Sequence, residues 1–237
     1  MDEITDYPFG DMVTFRITLL GAKRARLPLT FRIPSWCLAP EMFLNGENVS
    51  LATNKGTITL EREWKSGDEV VLHLPMHISF SRWASNSVAV ERGPLVYALK
   101  IEEKWEKKEL DLQMGKGAFM WEVSPKSPWN YAIVKKSMEK PKEYFQEQIS
   151  SKVPQWPWSS ENAPVSIRVK MTGVPSWKEY NGHAGPLPYT PVPSGLPYNL
   201  NNSSSSHLSD GKLYDVRLIP YGCTVLRITQ FPVIESK

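Results

Sequence analysis

A period of two dominates the first half of the chain. Val13, Phe15, Ile17 and Leu19 alternate with Thr14, Arg16 and Thr18, and Leu29, Phe31 and Ile33 alternate with Thr30 and Arg32. Successive side chains of an extended strand point to opposite faces, so each run reads as a half-buried strand. Pro34 lacks a backbone donor and closes the second run. Phe43-Leu44 leads into Asn45-Gly46, a pair that accepts the positive φ values of a type I′ hairpin turn. Ser66-Gly67-Asp68 marks a further turn, with Ile58 and Leu60 sharing a face before it and Val70, Leu72, Leu74 and Met76 sharing one after it. Strands over 87–91 and 95–99, split by Arg92-Gly93-Pro94, complete a set of roughly seven short strands at the spacing of a β-sandwich.

The segment 102–110 reads EEKWEKKEL, charged and without a strand pattern, and is expected to be a connector or solvated rim. Strand signals return at 129–134, 165–171, 214–219 and 224–229. The expected fold class is therefore all-β, with two β-sandwich domains of jelly-roll or Ig-like kind in tandem. Their expected bounds are 1–101 and 102–237, the second with long Pro/Ser-rich loops over 154–164 and 184–206. The 9 Trp, 9 Tyr and 20 Pro favour strands and extended loops over helix.

The same residues exclude several functions. A net charge of +3 offers no electrostatic footprint for a nucleic acid. The amino terminus has neither the basic start nor the apolar run of a secretion signal, and no stretch of about 18 apolar residues follows, so no membrane partner is expected. Cys37 and Cys223, the only two cysteines, are far apart in sequence and close to no histidine, which argues for buried structural thiols rather than a nucleophile or a metal site. His73 and His77 flank Pro75 on a strand, where His73 is expected to face outward, and bring no further ligands. Glu61 and Glu63 share a strand face and read as a solvent face rather than a catalytic pair. Neither a phosphate-binding glycine loop nor a nucleophile elbow is present. The surviving hint is aromatic: Trp156 and Trp158 in a proline-bounded loop, with Trp129, make a candidate platform for stacking on a sugar.

Seven stretches carry a resemblance: TDYPFGDMVTFRI, LTFRIPSWC, LNGENV, GTITLEREWKSGDEVVLHLPM, VAVERGPLVYALK, WKEYNGHAGPLPYTPV and LIPYGCTVLRITQFPV. Together they resemble the C-terminal β-sandwich region of glycoside hydrolase family 127, the β-L-arabinofuranosidase-like proteins of Bacteroides type once grouped as a domain of unknown function. The resemblance implies an (α/α)₆ catalytic barrel that precedes this region. The barrel would carry a cysteine nucleophile in a zinc site and perform retaining hydrolysis. No residue here matches those catalytic or zinc-binding positions, so no cofactor is expected in this chain and zinc is expected only in the barrel. The implied role is a non-catalytic accessory region that braces the barrel, its expected partner, with plant arabinose-containing glycans as ligands in the alternative of a carbohydrate-binding module. A periplasmic or extracellular parent is expected. Arg32, Trp36 and Arg92, set beside strand ends, are the candidate interdomain surface.

Overall fold

A computed structural model describes residues 1–49, 56–110, 117–190 and 209–235. Strand accounts for 48% of the described residues and helix for 7%, so the all-β sandwich class is borne out. The chain divides into two compact units. The first comprises Met1–His77 with Arg92–Pro94, and the second Ile78–Glu91 with Leu95–Lys237.

The first unit is a sandwich. Its larger sheet runs in the order β1 (Asp2–Thr5), β2 (Met12–Arg16), β7 (Glu69–His73), β4 (Glu41–Leu44) and β5 (Glu47–Asn48), and the smaller pairs β3 (Ala25–Arg32) with β6 (Thr57–Trp64). Register aligns Val13 with Leu72 and Met42, and Phe15 with Val70 and Leu44, so the apolar set of three strands shares one face. Phe31, Ile33, Ile58 and Trp64 join the same buried cluster from the facing ribbon. Phe15 and Phe31 meet with ring centroids 5.1 Å apart at 58°. Met42 and Val70 are fully buried, and each such side chain contributes roughly 1.5–3 kcal/mol over leaving it in water. Pro28 is tolerated in β3 because that ribbon has only two strands and one edge needs no donor.

The Asn45-Gly46 turn forms as expected, with φ of 51° and 86°. Asn45 does more than turn the chain. Its Nδ2 donates to Asp68 Oδ1 at 3.0 Å, while its Oδ1 accepts from the Glu69 backbone N–H at 2.8 Å, locking two turns together. Asp68, 1% exposed, also accepts from the Lys65 N–H at 3.0 Å. Burial works to raise its carboxyl, but these donors and the Arg62 charge hold it below the usual range.

The second unit is built on a nine-stranded sheet ordered β19 (Gln230–Phe231), β9 (Val88–Arg92), β10 (Leu95–Leu99), β18 (Leu213–Pro220), β15 (Val165–Gly173), β13 (Tyr131–Val134) and β20 (Val233–Ile234). β8 (Ile78–Arg82) pairs with β9, and β14 (Gln146–Ile149) with β15. The strands at 88–99, which the sequence groups with the first hundred residues, thus pair in this unit, through Ala98 to Ile219 and Leu99 to Leu218. Val88, Val90, Tyr97, Leu99, Ile167 and Leu218 are all buried.

Two local expectations are corrected. Residues 102–110 are not a connector: Glu103–Glu109 is β11, paired along its length with β12 (Phe119–Pro125). No strand forms over 224–229; a 3₁₀ turn at Tyr221–Cys223 is followed by irregular chain up to β19. Short helices α1 (Lys135–Glu139) and α2 (Pro141–Tyr144) interrupt the strands. Two more strands, β16 (Glu179–Tyr180) and β17 (His183–Ala184), form a hairpin around Asn181-Gly182, again at positive φ. Of the expected loop over 184–206, residues 191–206 lie outside the described residues.

Candidate functional site

A cleft of about 510 Å³ opens in the first unit. Its floor is apolar, with Phe15, Phe31, Leu72 and Leu74 contributed by strands from both sheets, and Tyr7, Arg32, Ser35 and Trp36 line it as well. β3 directs Phe31 into the core and Arg32 outward, and Pro34 ends the strand so that the chain turns and lays Trp36 half-buried against the cluster. Burial lifts the Tyr7 hydroxyl above its ordinary range, with the Arg32 charge pulling the other way. Arg32 is exposed and forms no ion pair among the described residues. The cleft therefore offers a cation, Arg32, with the carboxylate residue Glu3 in the same lining, and two amphipathic aromatics over an apolar floor.

Arg32 and Trp36, grouped by the sequence, are thus brought together. Arg92 is not on that surface and its expectation is corrected. It is 4% exposed, with Nη1 donating to the Phe9 carbonyl at 3.4 Å and lying 3.1 Å from Met76 Sδ. Its position before a Gly-Pro turn suggested exposure, but the turn folds back onto Met76.

A second cleft, of about 350 Å³, lies wholly in the second unit. Trp129 lines it, held edge-on to Trp177 at 5.2 Å and 81°. Trp177 is buried and donates its Nε1–H to the Gly185 carbonyl at 2.9 Å. Glu122, Glu179, His183 and Arg227 share the lining. None of these four was a sequence candidate, although Asn181-Gly182 is a hairpin signal that could have brought the flanking strands carrying Glu179 and His183 together, with Tyr180 opposite His183 and Glu179 opposite Ala184. Trp156 and Trp158 do not line this cleft. They are 73% and 44% exposed, and Trp158 packs on Gly222, where an added Cβ would lie 2.7 Å from its ring.

The other chemical candidates are scaffold. Cys37 and Cys223 are buried and unpaired, and burial raises both thiols, Cys223 to about 11. Neither forms a thiolate readily at neutral pH. Glu61 and Glu63 are exposed, and Glu63 pairs with Arg24 at 2.7 Å. His73 does not simply face solvent: its ring bridges Glu41 Oε2 at 2.8 Å and Asp11 Oδ2 at 3.2 Å.

Residues 1–76 match the family model described as β-L-arabinofuranosidase, GH127 middle domain. The resemblance to that family stands, with the matched portion a middle domain rather than a C-terminal one. No curated protein matches the chain. Among solved structures, a GH127 β-L-arabinofuranosidase from Geobacillus stearothermophilus T6 superposes with a TM-score of 0.54 at 20% identity, covering 98% of this chain and 30% of its own. A protein described as a glycoside hydrolase gives 0.55 at 21% identity, covering 98% and 32%. A GH127 β-arabinofuranosidase gives 0.54 at 17%, covering 98% and 31%. At these identities the likeness is one of fold. The chain spans about a third of the length of these solved relatives.

Proposed function

We propose that this chain is a non-catalytic part of a glycoside hydrolase of the β-L-arabinofuranosidase kind, whose first unit braces a helical catalytic domain. The observation that carries this reading is one of position. Every residue lining the 510 Å³ cleft lies within the 1–76 segment that matches the GH127 middle domain. Arg32 beside the half-buried Trp36, over an apolar floor with Glu3 the one carboxylate in the lining, is the composition of an interface anchor rather than of a hydrolytic site, which would need an acid and a separate base or nucleophile. The parent's hydrolysis, with its cysteine nucleophile and zinc, belongs on this reading to the helical domain.

The test mixes the full chain with a separately produced helical catalytic domain of a family 127 enzyme and follows association by sedimentation velocity. Association at micromolar concentration, weakened about tenfold or more by Arg32→Glu, is the expected result, together with no release of chromophore from an aryl arabinofuranoside by the chain alone. Absence of association, or indifference to Arg32→Glu and Trp36→Ala, removes the bracing role. Turnover by the isolated chain removes the non-catalytic one.

A further inference from the structure

We infer that the cleft in the second unit is a binding site for a neutral oligosaccharide. It lies outside the segment matched by the family model and is distinct from the proposed bracing surface. Its volume of about 350 Å³ falls in the range that small-molecule sites occupy. Three separate pieces of the fold converge there: β12 with Glu122, the β16–β17 hairpin with Glu179 and His183, and the segment carrying Arg227.

Arg227 is fixed before any ligand arrives. Its Nε donates to the Thr224 carbonyl at 3.1 Å, its Nη1 to the Tyr221 hydroxyl at 3.2 Å, and its guanidinium lies 4.4 Å over the Tyr221 ring. A donor already ordered loses little entropy on binding. Glu179 adds an acceptor, while the Glu122 carboxylate is taken up by Lys108 on the other face of the ribbon. A sugar hydroxyl both donates and accepts, so donors and acceptors gathered around one cleft suit it, while Trp129 supplies the apolar wall on which a ring's C–H face rests. Glu179 balances the Arg227 guanidinium and Glu122 is balanced by Lys108, so the lining has no surplus of positive charge, which disfavours acidic or phosphorylated ligands.

The ligand extends beyond one ring. In β11–β12, Trp105 lies directly opposite Val123, which lines the cleft, and Trp121 stands two residues further along, on the same face. Trp105 and Trp121 are 48% and 53% exposed. The aromatic surface thus continues outward from the cleft along the ribbon.

Calorimetric titration of the full chain with arabinotriose and with trigalacturonic acid tests this. Arabinotriose is expected to give saturable heat at millimolar concentration and the acid to bind more weakly. Glu179→Gln and Arg227→Met are each expected to weaken arabinotriose about tenfold or more without moving the thermal midpoint. Glu179 is on a separate hairpin, so it carries the test if loss of Arg227 disturbs its own segment. Trp105→Ala is expected to weaken the trisaccharide and leave free arabinose unaffected. No saturable heat with either sugar, tighter binding of the acid, or loss of binding only in a Trp156→Ala/Trp158→Ala double variant overturns the inference. None of these readouts involves Arg32 or Trp36, so failure here is distinguishable from failure of the bracing role.

Discussion

Single residues set the chemistry of the first unit through what they touch. His73 joins three strands by bridging Asp11, which precedes β2, and Glu41 on β4. The Glu41 hydrogen bond, then the Asp11 hydrogen bond and charge, raise its pKa against the opposing effect of burial. A histidine with a raised folded pKa contributes stability that is complete below its unfolded value of about 6.5 and is lost as pH rises through the folded value. The difference in thermal midpoint between the wild type and His73→Gln is therefore expected to be largest near pH 6 and to shrink towards pH 8.5; a constant difference would remove the electrostatic account. Gly93 makes a steric prediction. It has φ of +55°, and an added Cβ would lie 2.6 Å from Met76 Sδ. Gly93→Ala is expected to cost about 1–3 kcal/mol in denaturant unfolding, partly recovered by Met76→Ala, which vacates the space.

At the scale of elements, β11–β12 shows what composition conceals. Lys104, Glu106 and Lys108 occupy one face of β11 and Trp105, Lys107 and Glu109 the other, an alternation masked because both faces carry charge. The strand forms because its partner complements it: Lys108 pairs with Glu122, the Lys107 ammonium lies 4.0 Å from the Phe119 ring, and Trp105 meets Trp121 at 6.2 Å. Cross-strand pairs of this kind each contribute a few tenths of a kcal/mol to about 1 kcal/mol, and none is visible to a scan of one segment at a time. Asn45-Gly46, by contrast, was legible because its positive φ is a local requirement. An isolated two-stranded ribbon is marginal in water. Amides of β11–β12 are therefore expected to exchange hydrogen at least about tenfold faster in Trp121→Ala than in the wild type, with those of β15 and β18 unchanged. Equal acceleration in all four strands would show that the ribbon does not open by itself.

At the scale of the whole molecule, class was readable and assignment of strands to units was not. Alternation and turn residues identify β9 and β10 as strands, yet their partners β18 and β19 lie more than a hundred residues away, and register across such distances leaves no local mark. The clefts divide in the same way. Arg32 and Trp36 were legible because a strand end sets both, whereas Glu122, Glu179, His183 and Arg227 come from three distant segments whose convergence only the fold supplies. This has a consequence for dissection. A fragment cut after residue 101 keeps β9 and β10 but loses β18 and β19, exposing Val88, Val90, Tyr97 and Leu99, all of which are 2% exposed or less in the whole chain. Uncovered strand edges with apolar faces associate. Fragment 1–101 is thus expected to elute as aggregate in size-exclusion chromatography. Fragment 1–77 is expected to remain monomeric with the near-ultraviolet signal of a packed Trp64, though less stable than in the full chain, since it lacks Arg92 with its hydrogen bond to Phe9. A monomeric, cooperatively folding 1–101 would place the pairing energy of β9 and β10 within that fragment, and the division after His77 would then have no energetic meaning.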